Sequence, residues 1–569
     1  MAGREGATVK RSTGITLRRR DFLGSVLGAA AGMLIAACTP PGSTASPSGG
    51  VSASTGPRKP TGTLTVATAD IGNALYVPSR LDTPAGNTAL ATFGESLIER
   101  KADRSLGPRL ARAWSVSSDG LTYTFDLRTD VKWDDGTPFT SDDVAFTMKG
   151  IIQPGSTNGR FAQFRGLIDK IETPAPDRVV LRLKTPDVSV LYQLAAPGPA
   201  TQAMFSKKYI ESAGEDAAAK KPVGTGPWKF VEYRPGELIR VSAVDAHWRV
   251  TPQFQEMIIR QVPEESTRVA MLLRGEADIA TVSIQSTKQL TDAGMNLFLQ
   301  PTAYSLIISL QGQYLPSRPG FKKNVPWAAD PADPAAWEKA RMVREALDIA
   351  IDRKTIVSTV LGGQGTVAAY PYAVPSSVFA DSSFAAIEYN PTRAKQLLAD
   401  AGYASGFDMP FLLVEASGRP LAPQVGQAVA QYWQAIGVRV KQSNSDFTAT
   451  VRPGTVARSL AGTAFTFGLL VYDEPFAGLV GNGVSTGDAL IGVEYPPLDA
   501  LVAKAAATID VDARRKVQVD IGKMMLDQHF MIGIVWVHGL VAGGKRVTTL
   551  PQVLGVSTIH NFEYAAGPK

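Results

Sequence analysis

The chain of 569 residues predicts an α/β protein, because segments with strand periodicity and segments with helical periodicity alternate along it. Apolar and polar side chains alternate over residues 121–128, which is typical of a half-buried strand. Apolar residues between Val343 and Ile351 recur at spacings of three and four, which indicates a helix. A third segment, residues 425–436, has the helical spacing, ends at Gly437 and leads directly into a strand pattern. Helix followed by strand predicts layers of helices packed on a sheet.

Polar residues mark the beginning of three predicted helices. Thr140, Asp352 and Asn390 each precede a stretch of helical periodicity, and side chains of these types accept hydrogen bonds from the first free backbone amides of a helix. Asn390 is followed by a proline, which is favoured at the first helical position. The three helices are expected over residues 141–152, 353–361 and 391–401.

The composition argues against several kinds of site. Apolar residues make up 44% of the chain and charged residues 19%, which is typical of a protein with a packed core. Cys38 is the single cysteine, so neither an intramolecular disulfide nor a cysteine-based metal cage can form. The four histidines lack the spacing of a metal-binding helix, and the chain has no phosphate-binding glycine loop. We therefore expect no metal and no cofactor.

Most of the net positive charge of the chain comes from the first 37 residues. The formal charge of the chain is +6, and this segment has six basic residues against two acidic ones, so a charge of +2 remains for everything that follows. Basic residues in the remainder are dispersed, which argues against a nucleic-acid partner. The apolar stretch of residues 23–37 has 15 residues, fewer than the roughly 20 that a membrane-spanning helix needs. This arrangement is typical of an export signal.

Two short motifs refine that signal. The pair Arg19-Arg20 in RRDFL resembles a twin-arginine export signal, and IAAC, ending at Cys38, resembles the lipobox of bacterial lipoproteins. The alternative is a buried free thiol behind a chance apolar run. We expect residues 1–37 to be removed, Cys38 to carry lipid and residues 38–62, rich in Pro, Ser and Gly, to form a flexible tether. The folded part would then lie at the outer face of the cytoplasmic membrane.

One motif of catalytic type occurs, at residues 483–487. The sequence GVSTG fits the G-x-S-x-G pattern in which Ser485 would be the nucleophile of an α/β hydrolase. That motif requires a strand before the serine and a helix after it. The preceding residues, EPFAG, make a poor central strand, and Gly492, Pro496 and Pro497 would interrupt a following helix. A surface loop is favoured, and we predict no enzymatic activity.

Several sequence blocks, taken in order, resemble the family 5 extracellular solute-binding proteins, the dipeptide, oligopeptide and nickel receptors of ABC importers. Each block is weakly specific alone, whereas the ordered set is strongly specific. The blocks are PRLA at 108–111, WSVSSDGLTYTF at 114–125, VKWDDG at 131–136, FTSDDV at 139–144, PVGTGPW at 222–228, LRGEAD at 273–278, VREA at 343–346, IDR at 351–353 and YNP at 389–391.

The resemblance implies a two-lobed periplasmic-binding-protein-like α/β fold of class II, or cluster C, with an extra subdomain in the first lobe and two crossover segments. Ligand would be enclosed between the lobes by hinge closure. The expected organisation is lobe I at residues 63–300 with the subdomain at about 101–195, lobe II at 301–530, and a return to lobe I at 531–569.

The resemblance also suggests where the ligand binds. In peptide-binding members an aspartate in a W-x-G-D-x-P-D-P stretch meets the α-ammonium group of the ligand, because a buried cation needs a carboxylate. This chain has FGLLVYDEP at residues 467–475, which departs from that motif and leaves Asp473 as the single candidate. The alternative role for Asp473 is to initiate a turn.

Three further residues are candidates for the cleft. Glu95, in FGESL, matches the family pattern Y-E-[GS]-L and either lines the cleft or pairs locally. Tyr304 follows the first expected crossover, and Tyr472 precedes Asp473. Residues 316–337, rich in Pro and Ala, resemble an insertion that would reshape the rim of the cleft.

Together these observations predict a monomeric, lipid-anchored receptor that captures a small solute and presents it to the transmembrane subunits of an ABC permease. A peptide or peptide-like solute is favoured, and a sugar or a metal chelate stays open. Because the aspartate motif is incomplete, an alternative is that the same fold acts as a scaffold or regulator of envelope assembly without transport.

Overall fold

The structure is a computed structural model. It describes residues 59–72, 77–80, 90, 92–101, 105–156, 161–196, 203–375, 377–385, 387–416, 419, 421–470, 474–482, 485, 490–550 and 562–567. Within these residues, no helix is long and apolar enough to cross a membrane.

Eighteen strands are described. They are β1 Thr63–Thr68, β2 Ile98–Arg100, β3 Leu106–Pro108, β4 Ala111–Val116, β5 Thr122–Leu127, β6 Ile168–Ala175, β7 Arg178–Leu183, β8 Ala195–Ala196, β9 Trp228–Arg234, β10 Leu238–Ala243, β11 Glu256–Gln261, β12 Ile279–Thr281, β13 Asn296–Leu310, β14 Gly365–Val367, β15 Asp408–Glu415, β16 Arg439–Asp446, β17 Ala464–Leu470 and β18 Met531–Gly543.

Fifteen α-helices are described between and around these strands. They are α1 Ser141–Ile152, α2 Phe161–Leu167, α3 Ser189–Gln193, α4 Lys207–Ala213, α5 Glu215–Lys220, α6 Glu265–Arg274, α7 Thr287–Asp292, α8 Pro334–Ile349, α9 Arg353–Thr359, α10 Pro391–Asp400, α11 Ala422–Ala435, α12 Arg452–Val456, α13 Pro475–Asn482, α14 Pro496–Ala507 and α15 Val511–Asp527.

The main sheet joins two halves of the molecule. Its strand order is β16-β15-β17-β13-β18-β12-β1-β11-β10-β9, with β14 paired to β18. Strands β1 and β9–β12 come from the first part of the chain, and their core is separate from the cores around β15–β17. We call these halves lobe I and lobe II. The fold is therefore the two-lobed α/β arrangement that the sequence predicts.

Strands β13 and β18 run antiparallel through both lobes and carry the chain between them. Their register shifts at two places, between Leu306 and Ile307 and between Gln300, which pairs with Gly539, and Tyr304, which pairs with Val537. His538, between the two partners on β18, lies 3.2 Å from the hydroxyl of Thr366 on β14. Such register shifts disrupt the ladder of hydrogen bonds locally.

A subdomain is built on the four-stranded sheet β4-β5-β7-β6, and α1 packs beside it. The predicted strand is β5, which buries Tyr123, Phe125 and Leu127 on one face. Helix α1 begins after Thr140 as predicted, with a capping box in which Asp143 bonds back to the Thr140 amide at 2.9 Å.

Helices α8 to α11 cover the sheet of lobe II. Asp352 and Asn390 cap α9 and α10 as predicted, each through a side-chain oxygen that accepts from the amide three residues on. Helix α9 ends at Thr359, two residues earlier than predicted, before two glycines with positive φ. On α11, Trp433 is fully buried and donates to the carbonyl of Leu347 on α8, at 2.8 Å.

Gly224, in the family-like block at residues 222–228, lies against the backbone of Phe93. A Cβ at position 224 would lie 1.9 Å from the Phe93 carbonyl oxygen, closer than any real contact. The block therefore packs two chain segments together.

Candidate functional site

Ligand sites in open α/β sheets lie beyond the carboxyl ends of parallel strands. Strands β15 and β17 run parallel in lobe II, so their carboxyl ends share one edge of the sheet. Tyr304 lies at that edge, because it pairs with Leu470, the last residue of β17. This edge also lies beside one register shift of the two crossing strands, and we call it the lobe II edge.

Arg419 reaches the lobe II edge from the loop between β15 and α11. Its guanidinium carbon lies 5.1 Å from the centre of the Phe467 ring, and the Phe447 ring stacks on that of Phe467 with the ring centres 4.5 Å apart. A Cβ at Gly468 would lie 2.3 Å from the Arg419 Cδ, so the glycine leaves room for the arginine. The result is a partly exposed cation on an aromatic base.

Tyr304 is only 5% exposed, and Arg419 is close enough to influence its ionisation. Burial raises the pKa of the Tyr304 hydroxyl, although the positive charge of Arg419 acts in the opposite direction. The hydroxyl therefore stays protonated near neutral pH and can donate a hydrogen bond. A guanidinium and a phenolic hydroxyl at one edge are suited to a ligand that carries a carboxylate.

Two of the predicted ligand residues, Tyr472 and Asp473, lie outside the described residues. They follow strand β17 in the chain, and the last residue of β17, Leu470, pairs with Tyr304. The next described residue, Glu474, is 1% exposed and accepts from Arg514 of α15, with Nη2 to Oε1 at 2.9 Å. The contact of Tyr472 and Asp473 with ligand stays a prediction.

Glu95 lies in a separate, fully buried cluster of lobe I. Its carboxylate is 3.0 Å from Nε of Arg249 and 3.4 Å from Nε of Arg109, and His247 lies 3.9 Å away. Arg249 also binds the C-terminal segment through Glu563, at 3.2 Å. Glu95 thus has ion-pair partners within lobe I, which is the alternative to lining the cleft. Its contact with ligand stays a prediction.

Burial and neighbouring charges shift the pKa values of this cluster. Burial lowers the pKa of Arg109 and of His247, which favours the neutral imidazole. Burial also opposes the charge of Arg249, but Glu95 and Glu563 outweigh it and raise the pKa of Arg249. Such a network stabilises the fold of lobe I and attaches the end of the chain to it.

Ser485 is not placed as a hydrolase nucleophile would be. The element before it is helix α13, where the nucleophile motif requires a strand. Its hydroxyl donates to a carboxylate oxygen of Asp499 at 2.5 Å, and its amide donates to the other at 3.1 Å. The serine is 8% exposed, so it is more buried than the predicted surface loop implies.

Among the residues that the structure describes, no group of three or more His, Cys, Asp or Glu side chains is arranged to hold a metal. Cys38, Arg19 and Arg20 lie outside the described residues, so lipidation and the export route stay predictions.

Arg419 was not among the residues that sequence reasoning selected. The signal available in the sequence is its place in a short Ser-Gly-Arg-Pro stretch, a composition typical of turns, just before the predicted helix of residues 425–436. A charged residue between a strand and a helix lies at a strand's carboxyl end, which is where α/β proteins bind ligands. The strand before it, β15, was not predicted, so the position could not be recognised.

Sequence comparison identifies relatives among transport receptors. Heme-binding protein A of Haemophilus influenzae is 26% identical over 449 residues, covering 74% of this chain and 77% of that protein. An ABC transporter peptide-binding protein of Brucella ovis is 28% identical over 425 residues, covering 72% and 73%. Glutathione-binding protein GsiB of Salmonella typhimurium is 29% identical over 358 residues, covering 62% and 64%.

Solved structures with the same fold include DppA of Helicobacter pylori in complex with the peptide STSA. It has a TM-score of 0.71 and 21% identity, and the alignment covers 90% of this chain and 99% of that one. NikZ of Campylobacter jejuni in complex with Ni(L-His) has a TM-score of 0.70 and 21% identity, covering 89% and 98%. These similarities show the fold.

The family that matches this chain consists of solute-binding proteins, so the chain is a binding protein and not an enzyme. The family is extracytoplasmic, and its members bind solutes for ABC importers. Residues 105–468, more than half of the chain, match the family described as bacterial extracellular solute-binding proteins, family 5 middle, and the chain therefore belongs to that family.

Proposed function

We propose that the protein is a lipid-anchored receptor that captures a peptide or peptide-like solute between its two lobes and delivers it to an ABC permease. The observation that carries this proposal is the lobe II edge, where Arg419 lies over Phe467 and within electrostatic range of Tyr304, beside the end of β17. Relatives that bind peptides and glutathione favour a peptide-like ligand, since both carry free carboxylates.

Arg419 would bind the ligand carboxylate, and Tyr304 would donate a second hydrogen bond. A guanidinium matches a carboxylate with two parallel N–H donors, which gives both affinity and orientation. Asp473 would then meet the α-ammonium group, and Tyr472 would flank the ligand. In this arrangement the two ends of a short peptide have partners of opposite charge.

The remaining parts of the proposal concern location. Acylated Cys38 would hold the receptor at the outer face of the cytoplasmic membrane, with residues 38–62 as a tether. A monomer on such a tether can reach a permease embedded in the same membrane. Hinge closure would bend the crossing strands β13 and β18 near Gln300 and His538, where their register is irregular.

Calorimetric titration with the peptide Ser-Thr-Ser-Ala, its C-terminal amide and glutathione tests the ligand class. We expect the free-acid peptide to bind at least about tenfold more tightly than its amide, and Arg419→Gln to abolish that preference. Arg393→Gln is the matched control, because Arg393 lies on the outer helix α10 with its side chain 51% exposed. Equal affinity for acid and amide in the unaltered protein would contradict the role of Arg419.

A further inference from the structure

The subdomain of lobe I touches lobe II at a place away from the crossing strands. Val188, just before α3, donates its amide to the carbonyl of Ala506 on α14, at 3.0 Å. Its side chain is 4% exposed and packs within an apolar core whose other members belong to lobe II. Ile509 reaches back toward the subdomain, 3.7 Å from where a Cβ of Gly120 would lie.

The hydrogen bond between Val188 and Ala506 uses a carbonyl that helix α14 leaves free. The last four carbonyls of a helix have no partner within the helix, and Ala506 is in the last turn of α14. Within the subdomain, two hydrogen bonds to Asp187 hold the turn that carries Val188 in place. The Tyr123 hydroxyl donates to the carbonyl of Asp187 at 3.1 Å, and the Ser189 amide donates to the Asp187 carboxylate at 2.9 Å.

A buried carboxylate, that of Glu474 in lobe II, lies near this contact. Burial raises the pKa of Glu474, whereas Arg514, Gln518 and the hydroxyl of Tyr192 on α3 lower it, so Tyr192 approaches Glu474 from the subdomain. Arg514 and Gln518 of α15 hold that carboxylate from the other side, the Gln518 amide at 2.6 Å. Arg514 is thereby a junction, because its Nη1 also donates to the carbonyls of Thr508 and Ile509, at 2.8 and 2.7 Å, in the turn after α14.

The geometry points to a positioning role in ligand capture for the contact of Val188 with Ala506, with Ile509 packed toward Gly120 and Tyr192 beside Glu474. This interlobe contact holds the subdomain against lobe II and so favours the closed cleft. This inference deepens the proposed function and rests on it for the effect on ligand. The apparent dissociation constant of a closing receptor equals the intrinsic constant divided by the closed fraction. Loss of the contact should therefore weaken binding without removing any group that touches the ligand.

Tyr192→Phe is the decisive variant, because it removes one hydroxyl and keeps the ring. Tyr209→Phe is its matched control, since the Tyr209 hydroxyl donates to the Lys221 carbonyl within lobe I, at 2.6 Å. Ile509→Ala, at a partly exposed position, weakens the same contact from lobe II without touching the ion pair. All three variants should keep the unfolding temperature close to that of the unaltered protein.

The first measurement needs no ligand. In the full chain, hydrogen exchange of residues 186–194 should be about tenfold faster in Tyr192→Phe and faster in Ile509→Ala, and small-angle scattering should show a larger radius of gyration. Tyr209→Phe should change neither quantity. Exchange and radius equal to those of the unaltered protein in both contact variants would overturn the inference.

The second measurement separates this inference from the proposed function. Each of the two ligands, Ser-Thr-Ser-Ala and glutathione, is measured if the unaltered protein binds it. That ligand should dissociate several-fold faster from Tyr192→Phe, whereas its dissociation from Tyr209→Phe should be unchanged. An unchanged dissociation rate in Tyr192→Phe would overturn the positioning role. If neither probe binds the unaltered protein, the proposed ligand class fails, whereas the ligand-free measurement still decides whether the contact holds the lobes together.

Discussion

Arg514 and Glu474 form an ion pair in which both residues are 1% exposed, with Nη2 of the arginine 2.9 Å from Oε1 of the glutamate. Breaking a buried pair by removing one partner leaves an uncompensated charge, which typically costs about 3–5 kcal/mol. We expect Arg514→Met to lower the free energy of unfolding by about that amount in urea denaturation. The double variant Glu474→Gln with Arg514→Met should recover part of the loss, because no lone charge then remains.

An exposed ion pair provides the control for this prediction. Lys288 and Asp292 lie 2.6 Å apart on α7 with side chains 85% and 63% exposed. Lys288→Met should change the free energy of unfolding by less than about 1 kcal/mol. A similar effect of the two methionine substitutions would contradict the assignment of Arg514 as a buried junction.

Gly224 and Gly166 make a second matched pair. A Cβ at position 224 meets the Phe93 carbonyl oxygen at 1.9 Å, whereas a Cβ at position 166 meets nothing within 4 Å. Gly224→Ala should destabilise the protein by about 3 kcal/mol or more, since backbone cannot move aside cheaply. Gly166→Ala, in helix α2, should be neutral or stabilising by up to about 1 kcal/mol. Thermal unfolding of both variants checks the difference, and equal effects would refute it.

Asp134 should give lobe I a pH-dependent contribution to stability. Burial raises the pKa of its carboxyl to about 6, although the hydrogen bond from the Gly224 amide and the charge of Lys229 lower it. Because the folded-state pKa exceeds the unfolded value of about 3.9, the folded protein binds this proton more tightly, and the group adds stability as the pH falls from about 6 to 4. Its ionisation above pH 6 costs stability.

Asp134→Asn removes that ionisation and keeps an oxygen that can accept from Gly224. We expect the variant to be more stable than the unaltered protein at pH 8, by less than about 3 kcal/mol, with the difference shrinking between pH 7 and pH 5. Urea denaturation at four pH values measures this. A difference that does not vary with pH would show that the Asp134 carboxyl does not titrate in this range.

The lipid anchor has a direct test in phase partitioning. Full-length protein produced in its own host should enter the detergent phase of a cloud-point extraction, and Cys38→Ser should stay in the aqueous phase, because acyl chains contribute about 0.8 kcal/mol per buried methylene. Replacing Arg19 and Arg20 by lysine should block export if the twin-arginine route is used. Aqueous partitioning of both proteins would contradict lipidation.

The strands and helices with strong local signals were predicted well from the sequence. The side chains of Asp352 and Asn390 accept from the amides three residues on, and the Thr140 amide donates to Asp143, so these caps depend on few residues and can be recognised in the sequence. The family-like blocks likewise predicted the two-lobed fold, because close contacts such as that of Gly224 with Phe93 restrict which residues fit.

The site was less predictable because it depends on contacts between distant segments. Arg419 becomes informative only when β15 and β17 are known to share an edge, and Val188 bonds to Ala506 across 318 positions of sequence. Glu95 matched a family pattern, but the sequence alone did not decide between a cleft position and the buried pairing with Arg109 and Arg249. Local periodicity carries no information about such pairs.

The central claim, that this receptor encloses a small solute, is tested most directly by native mass spectrometry of the protein freshly purified from its own source. The account predicts a population heavier than the chain by the mass of one bound solute, which is released on denaturation and carries a carboxylate. A spectrum with the unliganded mass alone, together with no thermal stabilisation by a broad panel of peptides, oligosaccharides and metal chelates, would contradict it.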